Sequence, residues 1–299
     1  MDTAAAAGGR PFVGARPQPL PSPPVSQRAA HSAESIDTAT VIAIAAVAYT
    51  LTNVVHEGLG HGGAALLLGA RPTMFNAIFF SYDEATVSVT AQRMISAAGS
   101  IANLIFGLPA LALAARARGP RSRYFLWLFA AVNLLAAFGY LIFSGVANIG
   151  DWARVVDGFR PAWAWRVGLA TAGAVLYFVV APRLLMPPLE PFLGRDPASR
   201  GARVRRLSLV PYLAGGAAMV LAGLLNPLDM RLVLISAAAA SFGGTSLLAW
   251  YPARARPPAA ATPERPLPIE RSNAWIAVAA VELALFVLVL GPGIGSLPK

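Results

Sequence analysis

The chain has 299 residues, 56% hydrophobic and 13% charged, with a mean hydropathy of +0.58 and a formal net charge of +10. Soluble domains carry about 25% charged residues, and several apolar runs reach the length of about 18 residues that reads as a membrane span, so an ordinary soluble enzyme is excluded. Cysteine is absent, which removes disulfides and thiolate ligands, and the arginines sit mostly between apolar runs, a membrane-orientation pattern rather than a nucleic-acid surface.

Residues 1–36 are rich in Ala, Pro, Gly and Ser. They lack the apolar stretch of a signal peptide and read as a disordered tail, in which His31 is incidental. The first span is expected over about residues 38–68, ended by Gly69-Ala70-Arg71-Pro72, since glycine stops helices and proline disfavours helix in the residue before it. Residues 73–92 are richer in Phe, Tyr, Thr and Val and predict a small β-hairpin turning at Tyr82-Asp83-Glu84. Asp83 and Glu84 then read as solvated turn residues.

A second span follows over about 94–115. Its small residues Ala97, Ala98, Gly99, Ser100 and Ala102 allow close helix packing, and it carries the polar Asn103. The third covers about 124–149 and leads into Gly150-Asp151, with Trp152 as an interfacial anchor. A fourth is expected over about 164–184, then an Arg-rich loop at 186–207. Spans five (208–225) and six (230–250) are separated by an Asn226–Asp229 turn. A Pro/Arg-rich linker at 251–272 leads to the seventh span, 273–290, with Glu282 in its middle. The fold class is therefore an all-α polytopic membrane protein of about seven transmembrane helices, with a hairpin between the first two. The arginine distribution places the N-terminus in the cytoplasm, in a bacterial inner or plasma membrane.

The first span carries the chemistry. Two of the three histidines, His56 and His61, lie in it with Glu57 between them. Ionisable groups in hydrocarbon are costly and mark function by default. Neutral imidazoles bind zinc, and an adjacent glutamate can act as base toward water. The plain alternative is a pair of buried histidines satisfied by hydrogen bonds. In H-E-x-x-H the histidines stand four apart, on one helical face. Here they stand five apart, about 140° around an ideal helix. A π-bulge would bring them back together, and Gly58 and Gly60 would tolerate it. Asp151 offers a carboxylate, an accepted third zinc ligand, or is an ordinary interfacial acid beside Arg154. Glu282 reads as a helix-packing hydrogen bond or as an outlying member of the site.

The local spacing resembles the H-E-L-L-G-H variant of the dipeptidyl peptidase III family. More broadly, residues 38–155 resemble the site-2 protease family of intramembrane zinc metalloproteases. His56-Glu57 to His61 is similar to that family's H-E-x-x-H helix, Ala98-Gly99-Ser100-Ile101-Ala102-Asn103 to its A-G-P-x-x-N stretch, and Asn133 with Gly150-Asp151 to its third helix. Three departures stand out: the longer histidine spacing, Ser100 for proline, and Trp152 where glycine is usual. The resemblance implies a metalloprotease-like core over 37–155, with residues 156–299 as an added four-span region. It implies Zn²⁺ held by His56, His61 and Asp151, Glu57 as general base, and Asn103 toward the substrate or oxyanion. The expected partners are the lipid bilayer and a single-span membrane protein substrate, with no nucleic acid. The expected function is an intramembrane zinc peptidase. The alternatives are a non-catalytic protein with a structural metal and a proton- or ion-coupled transporter.

Overall fold

The computed structural model describes residues 35–226, 237–254 and 262–295. The expected tail before residue 35, the start of the expected sixth span and the middle of the 251–272 linker lie outside these residues. Among the described residues, six helices are long and apolar enough to cross a membrane, consistent with an integral membrane protein. They are α1 (Thr38–Leu67), α2 (Val89–Ala114), α3 (Pro120–Ala147), α5 (Ala162–Leu193), α6 (Pro197–Gly223) and α8 (Asn273–Leu290). A short helix α4 (Asp151–Val156) follows α3, and α7 (Leu247–Arg254) lies between α6 and α8.

Local chemistry sets the helix ends. Asp37 caps α1, its carboxylate accepting from the Thr40 amide at 2.8 Å. Ser88 caps α2 and Ser272 caps α8 in the same way, satisfying N–H groups that have no partner inside the helix. Pro120 opens α3, where its missing N–H costs nothing. Asn148 closes α3 in the left-handed region with φ 57°, a conformation asparagine tolerates better than most residues.

Helix α3 is the central post, packed by α1, α2 and α5. Its Tyr124, Trp127, Leu128, Leu134 and Leu135 are fully buried. The two large aromatics also place their polar tips: Trp127 Nε1–H donates to Leu185 O at 2.8 Å, and Tyr124 O–H to Leu207 O at 2.9 Å. Leu67, Ile105, Val281 and Leu288 point outward, as side chains facing lipid do.

The hairpin is shorter than its sequence suggests. Strand β1 (Arg71–Phe75) pairs antiparallel with β2 (Phe80–Asp83), with an irregularity between Pro72 and Met74. The turn is at residues 76–79 rather than at Tyr82-Asp83-Glu84. The Asn76 side chain accepts from the amides of Ile78 and Phe79, an Asx turn that outcompetes the acidic pair. Residues 89–92 are the start of α2 rather than strand. A third strand, β3 (Ile294–Gly295), pairs with the other edge of β1 to give the order β2-β1-β3.

The expected loop at 186–207 is instead a tight helical hairpin. Helix α5 runs to Leu193, Gly194 turns with φ 71°, and Asp196 caps α6. Two of its arginines are spent internally: Arg200 pairs with Glu190 at 2.6 Å, and Arg203 donates to Phe192 O and Leu267 O. Residues 267–270 lie across this end, where Ile36 bridges Ile269 and Arg121 reaches Glu270 O. The N-terminal end of α1, the 116–123 loop and the 194–206 arginines thus share one end of the bundle. The hairpin, α4 and β3 lie at the other.

Candidate metal centre

Residues 54–62 of α1 form a nine-residue π-helix that spans both histidines. Its i→i+5 ladder puts residues five apart onto one face, which is the distortion that the His56–His61 spacing requires. The two Nε2 atoms come within 3.2 Å of each other. The close approach of α2 makes this possible. At Gly60 a Cβ would stand 2.6 Å from Gly99 Cα, and at Gly99 a Cβ would stand 2.6 Å from His61 Nε2 and 2.7 Å from His56 Nε2. Glycine at 99 leaves the space that the imidazoles fill.

Asp151 completes the cluster from α4. The backbone leaves α3 through left-handed Asn148 and Gly150 (φ 86°), and this reversal returns the chain to the histidines. Asp151 Oδ2 lies 3.1 Å from His56 Nε2 and 3.4 Å from His61 Nε2. Two contacts brace α4: Trp152 Nε1–H donates to Ser100 Oγ at 3.1 Å, and Arg154 pairs with Glu84. Glu84 is exposed and paired with Arg154, and neither it nor Asp83 lines the cleft.

The triangle of Nε2, Nε2 and Oδ2, with sides of 3.1, 3.2 and 3.4 Å, matches one face of a tetrahedral site. Metal–ligand distances of about 2.0–2.2 Å put tetrahedral ligands about 3.3–3.6 Å apart. His56, Glu57 and His61 are all buried, and their ligand atoms lie within 4.8 Å of one another, so this group can hold a metal ion. The His61 ring is already oriented for it, because Nδ1–H donates to Ile95 O at 2.7 Å. A carbonyl only accepts, so in the neutral ring Nε2 keeps its lone pair toward the cluster, the outer hydrogen bond that metal-ligating histidines usually have.

Glu57 stands slightly back. Its Oε1 is 4.0 Å from His56 Nε2, and its Oε2 accepts the Phe80 N–H of β2 at 2.8 Å. Glu57, His61 and Asp151 line a cleft of ≈ 800 Å³ that also exposes Phe80, Tyr82 and Tyr140.

Of the remaining residues singled out in the sequence, Asn103 lies behind His56. Its amide is 3.2 Å from His56 Nδ1, and it lines a smaller inner cavity rather than the cleft. Asn133 ties α3 to α1 through Thr52 Oγ1 at 2.8 Å. Glu282 does not line the cleft. Tyr140 went unread in the sequence. Its ring centroid is 5.2 Å from that of His56, and a phenol deep inside an apolar span was the available signal. Compared with protein-family models, curated proteins and solved structures, the chain matches none.

Proposed function

We propose that the chain is an intramembrane zinc metallohydrolase, a peptidase of the kind its resemblance to the site-2 proteases implies. One observation carries the reading: three donor atoms converge within 3.4 Å beside a carboxylate that is not one of them. Zinc suits two imidazoles and a carboxylate, with one position left open as in catalytic sites. When bound, it would supply Lewis acidity toward water and the scissile carbonyl.

The protein's own part is proton transfer and positioning. Glu57 Oε1 takes the proton from the attacking water as the water oxygen bonds to the carbonyl carbon. It then returns that proton to the amine as the C–N bond breaks. The Phe80 N–H on Oε2 fixes which oxygen faces the cleft. Strand β2 is an edge of the small sheet and lies against Glu57, so an extended substrate segment adds beside it. The arginine-rich end lies opposite the site, so the positive-inside rule turns the cleft away from the cytoplasm.

The test is Glu57→Gln, with cleavage of single-span reporter peptides in proteoliposomes and bound zinc measured on one preparation. The variant should keep zinc and lose cleavage by roughly 10²- to 10⁴-fold. Undiminished cleavage would sink the mechanism. A wild type that holds zinc and cuts none of the reporters, with Glu57→Gln altering only stability, would favour a structural metal instead.

A further inference from the structure

We propose that Asn103, backed by Asn53, selects the metal-binding tautomer of His56 by presenting its amide oxygen, not its nitrogen, to His56 Nδ1. This rests on the metal reading above. His61 shows the requirement: its Nδ1–H is held by an acceptor-only carbonyl, which leaves Nε2 as a lone pair. His56 needs the same arrangement, and Asn103 is the hydrogen-bonding group at its Nδ1.

With the amide nitrogen toward Nδ1, His56 would accept there and carry its proton on Nε2, aimed at Asp151. That is a metal-free hydrogen-bonded state. It leaves Asn103 Oδ1 buried without a partner, and the same is true of Asn53 Oδ1. Buried acceptors left without a donor are costly. Asn53, Asn103 and His56 line one cavity of ≈ 60 Å³ behind the ring. A water needs roughly 10–15 Å³ of such space.

Rotating the Asn103 amide by half a turn changes three things together. Oδ1 accepts from His56 Nδ1–H, His56 Nε2 gains the lone pair that a metal requires, and the Asn103 NH₂ turns away from the ring, toward the cavity that Asn53 also lines. The Asn103 oxygen is then satisfied, and the cavity has room for a water between the two amides. The two ends of an amide have nearly the same shape, so the rotation needs no repacking. Asn103 is in this account a positioning residue, acting through His56. It does not touch the substrate, which differs from the role the family resemblance implies.

The acceptor role has its own signature. Asn103→Asp keeps an acceptor at Nδ1, whereas the near-isosteric Asn103→Leu keeps neither donor nor acceptor. Full-length protein in detergent would be titrated with zinc against a competing chelator. Expected is a loss of about 10- to 100-fold in zinc affinity for Asn103→Leu, with Asn103→Asp within a few-fold of wild type. Nitrogen-15 NMR of histidine-labelled, zinc-loaded wild type should show His56 protonated at Nδ1 and liganded through Nε2. Only three histidines need assignment. Wild-type zinc affinity in Asn103→Leu, or equal losses in both variants, would overturn the inference while leaving the metal reading standing. Zinc on His56 Nδ1 in the unmutated protein would overturn it however the variants fold. A wild type that binds no zinc overturns both.

Discussion

Gly99→Ala places the smallest possible perturbation directly against the cluster. The added methyl would stand 2.6 Å from His61 Nε2 and 2.7 Å from two atoms of the His56 ring, whereas ordinary contact begins near 3.4 Å. Both rings must then retreat by about 0.7–0.8 Å, or α2 must move away from α1, since overlap of that size is strongly repulsive. Metal sites hold their ligand distances within about 0.2 Å, so the triangle cannot survive the shift unchanged. Overpacking of this kind costs about 1–3 kcal/mol. Only the metal-bound protein must also keep the ligand distances, so the share of this strain that falls on the metal-competent arrangement is what lowers zinc affinity. At a factor of ten per 1.4 kcal/mol, zinc affinity should fall roughly 5- to 150-fold. The assay is chelator competition in detergent, with thermal unfolding followed on the same samples. Gly63→Ala in α1 is the control, because its Cβ meets nothing within 4 Å. If Gly99→Ala binds zinc as wild type does at an unchanged melting temperature, the packing argument is wrong and the rings are not held by α2.

Asp151→Asn should weaken zinc binding and cleavage together, because an amide is a poorer ligand than a carboxylate. This separates it from Glu57→Gln, and zinc affinity beside reporter cleavage checks it. Asp37→Ala should destabilise the protein by about 1 kcal/mol through loss of the α1 cap. The Thr40 hydroxyl and amide lower the pKa of Asp37. Its contribution should therefore be complete above the unfolded-state value near 3.9 and fade as pH falls through the lower folded value. Thermal unfolding of wild type and variant should differ by a constant amount above about pH 5 and converge in stronger acid.

The legible parts of the sequence were those fixed by local rules. Apolar run length located α1, α2, α3 and α8, and the odd histidine spacing alone demanded a π-distortion, which residues 54–62 adopt. The unread parts depend on partners distant in sequence. Arginines 200 and 203 looked like loop charges, yet Glu190 and the carbonyls of Phe192 and Leu267 satisfy them, so the chain there stays helical. The hairpin turn went to Asn76 because its side chain bonds two nearby amides, an advantage that composition does not rank against an Asp-Glu pair. Strand β3 could not be foreseen, since two residues near the end of the described chain carry no period. Asn103 was legible as a polar group within a span, but its place behind His56 rather than in the cleft follows only from how α2 packs on α1.

Two departures from the site-2 protease pattern prove to be a single contact. Ser100 stands where that pattern has proline, and Trp152 where it has glycine, and the Trp152 indole N–H donates to Ser100 Oγ. Proline at 100 would withdraw this acceptor and also an amide from the interior of α2. Glycine at 152 would leave Ser100 without its donor. Each change alone weakens the likeness, but together they tie the residue after Asp151 to the helix that bears Gly99 and Asn103. The Arg154–Glu84 pair holds the far side of the same short helix to the hairpin segment, whose Phe80 amide in turn holds Glu57. Asp151, Glu57 and the two imidazoles are thus positioned by contacts among α1, α2, α4 and the hairpin. A six-residue helix with no buried residues of its own has little else to keep its carboxylate 3.1 Å from His56. Ser100, Trp152, Arg154 and Glu84 therefore carry the contacts on which the position of Asp151 depends.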